Sequence, residues 1–233
     1  MNKTAILVDG GFYRKRAMYL WGDKSPSERA LELSSYCKRH LNEKIDGVKT
    51  KNDLYRIFYY DCTPISKKVY HPLLDRTVDF SKTDTYNWTV DFLESLKKER
   101  KFALRLGRLA EEQAEYKLKK EPLKKLFKGS ITLQDITEND FFIDIKQKGV
   151  DMKIGVDIAS LAYKKQVSQI ILISGDSDFV PAAKLARREG IDFVLDPLHS
   201  SIKSDLFEHI DGLNTRENKP PKGETIKFNL KKK

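Results

Sequence analysis

ILISGDSDFV, residues 171–180, closes a short apolar run at Ile173 and turns through Ser174-Gly175 into two acids, Asp176 and Asp178. Phe179-Val180-Pro181 and a helical pattern up to Arg188 follow, with Gly190 as a stop signal. A strand, a glycine turn and a helix in so few residues make half of a βαβ unit. Outward from it the same alternation recurs. TAILV at 4–8 reads as a buried strand broken by Gly10-Gly11, LYRIFYYDC at 54–62 as a second strand, FALRLGRL at 102–109 as a third and residues 191–195 as the last. Helical spacing fills 27–41, behind a Ser25-Pro26 start signal, then 88–96 and 151–164. Strands separated by helices pair in parallel, so the expected fold is an open α/β sheet of about five strands. In such sheets chemistry gathers beyond the carboxyl ends of the strands, where Asp176 and Asp178 stand.

The 233 residues suffice for one sizeable domain. The expected organisation is a domain over 1–213 with a charge-rich insertion at about 110–147, helical up to Lys128, and a basic flexible tail at 214–233. No window offers the ~18–20 apolar residues of a membrane span, and Met1 leads straight into a strand, so a cytoplasmic protein without a membrane is expected. Cys37 and Cys62 sit in regular segments, and His40, His71, His199 and His209 are scattered, which gives no support for a disulfide framework or a thiolate or histidine metal site. The net charge of +10 is uneven: 97–129 carries twelve Lys/Arg against five Glu, and 214–233 seven against two. The remainder is slightly acidic. Such patches attract polyanions, nucleic acid foremost, although each alone also suits a solvated helix face or a tail.

Acids collect at one edge. Asp9 ends the first strand, Asp61 the second, and Asp176 and Asp178 the fourth; Asp151 opens the helix that precedes the fourth strand and serves as its expected N-cap. Singly, each is a turn or cap residue. Together they repel one another unless a cation sits among them, and hard oxygen donors suit Mg²⁺ or Mn²⁺. Asp157 lies about 120° around the helix from Asp151 and ~9 Å along it, so it reads as a supporting or buried, hydrogen-bonded acid, open as a ligand but not favoured as one. Ser174 either orients a carboxylate or water or simply ends the strand.

ILVDGG at 6–11, KGVDMKIGVDIASLA at 148–162 and ISGDSDFVPAAKLARREG at 173–190 together resemble the NYN domain family, the LabA-like branch of the PIN-like nuclease superfamily, over about residues 4–196. The resemblance implies a Rossmann-like sheet of order 3-2-1-4-5 with helices on both faces and a metal-holding acid cluster for RNA hydrolysis. Its catalytic and metal-binding acids fall on Asp9, Asp151, Asp176 and Asp178. Many relatives have Asn three residues after the first acid; this chain has Phe12.

On this basis the expected activity is a metal-dependent ribonuclease with Mg²⁺ or Mn²⁺ as cofactor and single-stranded RNA as partner. Lys97, Lys98, Arg100, Lys101, Arg105 and Arg108 are candidates for the phosphate backbone, and Phe12, Tyr13, Tyr59 and Tyr60 for base stacking or core. A dehalogenase-type phosphatase would need an acid at Gly11, and no phosphate loop occurs. A non-catalytic RNA- or protein-binding member of the same fold stays open, and a homodimer is compatible with the architecture.

Overall fold

The computed structural model describes residues 2–45 and 48–216. Its main sheet has seven strands: β1 (Lys3–Asp9), β2 (Asp53–Cys62), β3 (Phe102–Leu109), β4 (Gln147–Lys148), β5 (Gln169–Ile173), β6 (Asp192–Asp196) and β7 (Gly212–Leu213). They lie in the order β4-β3-β2-β1-β5-β6-β7. The expected five strands thus form the middle of the sheet in the expected 3-2-1-4-5 order, and the count is corrected to seven by a short strand at each edge. Two-residue strands are too short to carry a period-2 signal, which is why β4 and β7 escape notice in the sequence.

β1 pairs in parallel with both β2 and β5, β5 with β6, and β6 with β7, whereas β4 runs antiparallel to β3. Thr4–Val8 and all of β5 are buried, so these strands read as continuous apolar runs instead of alternating ones. Helices α1 (Gly10–Trp21), α2 (Pro26–Arg39), α3 (Asp84–Lys98), α4 (Lys120–Phe127), α5 (Val150–Tyr163), α6 (Val180–Arg188) and α7 (Ser204–Phe207) complete the chain. α2 starts as its sequence requires, with Ser25 and Glu28 in a reciprocal capping box and Pro26 in the first turn. α5 corrects an expectation: its N-cap is Gly149, and Asp151 stands in the first turn, where the helix dipole favours an acid.

The chain separates into two compact units, one of residues 1–61, 91–106 and 149–233, the other of 62–90 and 107–148. The first holds the core around β1, β2, β5 and β6. The second contains two antiparallel pairs, Lys68–His71 with Arg76–Asp79 and Glu115–Leu118 with Phe141–Asp144, together with α4. The stretch 110–128, expected to be helical, is therefore partly strand. Its centre is aromatic, with the buried His71 ring 4.2 Å from Tyr116 and 5.0 Å from Phe141. At the other end of the chain, Asn214–Arg216 are docked, Asn214 N–H donating to the Leu195 carbonyl and Thr215 Oγ1 to Asp196. The rest of the expected tail, 217–233, lies outside the described residues. No helix among the described residues is long and apolar enough to cross a membrane.

Gly10, the first residue of α1, sets how closely that helix begins on β2. A Cβ there would lie 2.5 Å from Tyr59 Cζ and 2.6 Å from the Tyr60 carbonyl oxygen. The Tyr59 ring is fully buried and its hydroxyl is held by Asp61, so it has nowhere to go. Gly10→Ala is expected to cost about 1–3 kcal/mol in urea denaturation, the usual range for overpacking. A loss below about 0.5 kcal/mol would mean that the helix start yields freely.

Candidate functional site at the carboxyl edge of the sheet

Strand register builds one row of side chains. Val8 lies beside Ile173 and Asp9 beside Tyr60, while Ile173 lies beside Asp196. The carboxyl ends of β2, β1, β5 and β6 therefore deliver Asp61, Asp9, Ser174 and Asp196 to the same edge. α5 leads into β5 and so begins at that edge, which brings Asp151 there as well.

Asp9 and Ser174 form the hinge of the site. Asp9 caps α1, one carboxylate oxygen accepting from the Phe12 N–H at 3.1 Å and the other from Ser174 Oγ at 3.2 Å. The same Ser174 oxygen accepts from the Asp176 N–H at 3.3 Å. Asp176 in turn accepts from the Asp178 N–H at 3.0 Å and caps the short turn Ser177–Phe179. One hydrogen-bonded thread thus runs from the first strand to the acidic turn, and Ser174 orients a carboxylate as well as ending a strand. A Cβ added at Gly175 would lie 2.9 Å from the Phe12 ring, so a side chain there would have to displace that ring.

Electrostatics ties Asp151 to the same place. Burial raises its pKa first, followed by the charges of Asp176 and Asp178. Burial likewise raises Asp9; the Phe12 and Ser174 hydrogen bonds pull it back, and the charges of Asp151 and Asp61 push it further up. Asp151 therefore links the group, feeling the charges of Asp176 and Asp178 and acting on Asp9. They do not form a closed cage, because among the described residues no three His, Cys, Asp or Glu side chains are gathered tightly enough to hold an ion. Mg²⁺ is commonly held by one or two carboxylates and several waters, so an open, all-oxygen acidic rim fits it.

The other candidates separate from these four. Asp61 is buried and joined to Arg14 Nη2 at 3.0 Å and to the Tyr59 hydroxyl at 2.9 Å. Asp157 accepts from Arg105 Nε at 2.9 Å and from the Tyr60 hydroxyl at 2.8 Å. Each has its own cation, which makes it a poor ligand for another. Tyr13, Tyr59 and Tyr60 are core, leaving Phe12 as the half-buried aromatic at the rim.

The cations expected to grip phosphate are placed elsewhere. Lys97, Lys98, Arg100 and Lys101 fall at the end of α3 and before β3, away from the strand ends that carry the acids. Lys97 pairs with Glu94 at 2.5 Å, Lys101 bonds the Leu54 carbonyl, and Arg105 is spent on Asp157. Arg108 is an exposed residue of β3. A cation that sequence patterning misses does reach the rim: Lys203 Nζ donates to Ser177 Oγ at 3.0 Å, between the two acids of the turn. Its loop is anchored by Arg16, which donates twice to the Leu198 carbonyl, at 2.7 and 3.1 Å. Asp196 is the second residue missed. It is fully buried and accepts from His40 Nε2, Thr215 Oγ1, the Leu198 N–H and the Tyr36 hydroxyl, a structural knot with no open lone pair to offer.

The family model of the NYN domain matches residues 64–207. The chain belongs to the NYN domain family. That family is part of the PIN-like nuclease superfamily. The matched segment contains Asp151, Asp176 and Asp178; Asp9 precedes it and joins them through the β1–β5 register. A solved structure of a protein of unknown function from Vibrio parahaemolyticus is similar over 93% of this chain and 94% of that one, at 14% identity and a TM-score of 0.45. Among curated proteins there is no match.

A raised carboxylate pKa has a definite sign in stability. The folded state keeps its proton at pH values where the unfolded chain has lost it, so the contribution is best below the ordinary aspartate value near 3.9 and is lost as pH rises toward the folded value. Asp9→Asn should therefore unfold at a higher temperature than the wild type at about pH 7.5, and the difference should shrink toward zero near pH 3.5. A variant less stable than wild type at neutral pH would show that the Phe12 and Ser174 hydrogen bonds outweigh the repulsion.

Proposed function

We propose that the protein is a divalent-metal-dependent nuclease acting on single-stranded RNA, with Asp9, Asp151, Asp176 and Asp178 holding Mg²⁺ or Mn²⁺. The observation that carries the proposal is the gathering of these acids at the carboxyl edge, in a chain of the NYN family, where Asp151 is repelled by Asp176 and Asp178 and repels Asp9, while Asp61 and Asp157 each hold an arginine. When bound, the ion supplies a lowered pKa for water and charge neutralisation at phosphate. The chain's own part is positional. Ser174 fixes the Asp9 carboxylate and the Asp176 backbone together, so the acids from β1 and from the turn move as one body. Lys203, exposed and bonded to a serine hydroxyl, can exchange that bond for a phosphate oxygen. Phe12, beside Gly175, offers an apolar flank to a nucleotide in the position where relatives carry Asn. A cytoplasmic setting is part of this proposal.

One observation favours the alternative, a non-catalytic RNA- or protein-binding member: no three ligands are gathered among the described residues. The two are separated by incubating purified protein with labelled single-stranded RNA in Mn²⁺, Mg²⁺ or EDTA. A nuclease should show metal-dependent cleavage that falls on the order of a hundredfold in Asp176→Asn and in Asp151→Asn, with both variants folded. Cleavage by these variants at the wild-type rate, or binding with no cleavage under any ion, contradicts that activity. Mn²⁺ at a hundredfold its Kd should also stabilise the wild type by about 2.7 kcal/mol at neutral pH. That gain should vanish in the Asp9→Asn/Asp176→Asn double variant.

A further inference from the structure

α4, in the second compact unit, is a charged helix with an apolar rail facing solvent. The segment Lys119–Lys128 contains five lysines against one glutamate. At about 100° and 1.5 Å per residue, Lys120, Lys124 and Lys128 form a ladder with steps of ~6 Å. Leu123 and Phe127 run alongside, about 40° apart. Phe127 is 83% exposed and Leu123 38% exposed, whereas Pro122 and Leu126 turn inward. Phe127 and Leu123 thus form a small exposed apolar strip directly beside the lysines.

The surroundings restrict what that is. None of the ion pairs among the described residues involves Lys120, Lys125 or Lys128. Lys124 has one partner, Glu121 at 2.9 Å, and both are well exposed, so the pair is weak and exchangeable. The Lys119 ammonium instead secures the helix start by donating to the Asn139 carbonyl at 2.5 Å. Elsewhere in the unit Lys117 pairs with Glu115 and Asp144, and Lys148 with Glu112. α4 thus carries a surplus of positive charge beside its exposed ring, offset in part by Asp140, whose carboxyl is held lower by its Thr137 hydrogen bonds and by the charges of Lys119 and Lys125. Evenly spaced cations along a π surface match a flexible chain of phosphates with unpaired bases. At eight residues the helix is short for an interfacial membrane anchor, and its apolar rail of two side chains is small for a protein interface.

We propose that α4 is a docking face for single-stranded RNA, its lysine ladder taking successive phosphates and Phe127 stacking on a base. This rests on the reading of the protein as one that handles RNA, but not on catalysis. It is tested with the full chain in EDTA, by fluorescence anisotropy of a labelled single-stranded RNA of about 15 nucleotides. Lys120→Ala/Lys124→Ala/Lys128→Ala should weaken binding at least tenfold at ~0.1 M salt and flatten the plot of log affinity against log salt by about 2, at ~0.7 for each phosphate no longer neutralised. Phe127→Ala should weaken it about tenfold, with Phe127→Trp retaining it. Thermal melting checks that each variant folds. RNA affinity unchanged in the triple variant overturns the proposal. So does equal affinity of Phe127→Ala and wild type, no RNA binding by the wild type, or binding of anionic vesicles or an acidic peptide that alone responds to these substitutions. Intact, α4-dependent RNA binding without cleavage in Mn²⁺ would leave this face standing while removing the nuclease.

Discussion

Three parallel strands in register, β2, β1 and β5, determine where the acids of this protein begin. A shift of one residue between β1 and β5 would turn Asp9 to the other face of the sheet and break its bond to Ser174. The register is fixed by burial, since the paired residues Ala5–Val8 and Ile170–Ile173 are withdrawn from water on both faces. An apolar core thus forces polar consequences: carboxylates that would separate in solution are held at one edge, where burial and like charge both disfavour the ionisation of Asp9 and Asp151. A bound cation would recover the stability given up in this way, which is why the proposed metal site is placed here.

The same edge also shows how acids are kept out of that role. Asp61 and Asp157 each receive an arginine and a tyrosine hydroxyl, from Arg14 and Tyr59 and from Arg105 and Tyr60. Asp196 receives a histidine, two side-chain hydroxyls and a backbone N–H. These three knot the sheet edge together. Of the four that remain, Asp9 and Asp176 are supplied by backbone N–H groups and Ser174, groups that orient a carboxylate without cancelling its charge.

Much of this was legible in the residues. Strand ends followed by glycine placed Asp9 and Asp176, and Ser25-Pro26 marked α2, because these signals are local. What escaped depends on distant partners. Nothing near Asp61 or Asp157 announces Arg14 or Arg105, which come from α1 and β3. Asp196 resembles a turn acid before Pro197 until Tyr36, His40 and Thr215 fold around it. Lys203 looks like one lysine among many, whereas the conspicuous run at 97–101 falls away from the acidic edge. The second unit was hidden for another reason: its strands, such as KVYH at 68–71 and RTVD at 76–79, are short and charged, and only pairing across a turn makes them strands.

The central claim, that the repelling acids exist to hold a divalent ion, is tested most directly by soaking crystals in MnCl₂ and collecting anomalous data. A peak is expected within about 2.0–2.6 Å of oxygens from at least two of Asp9, Asp151, Asp176 and Asp178. Crystals at neutral pH that bind Mn²⁺ elsewhere, or that pair these carboxylates with lysines while the rim stays empty, would contradict it.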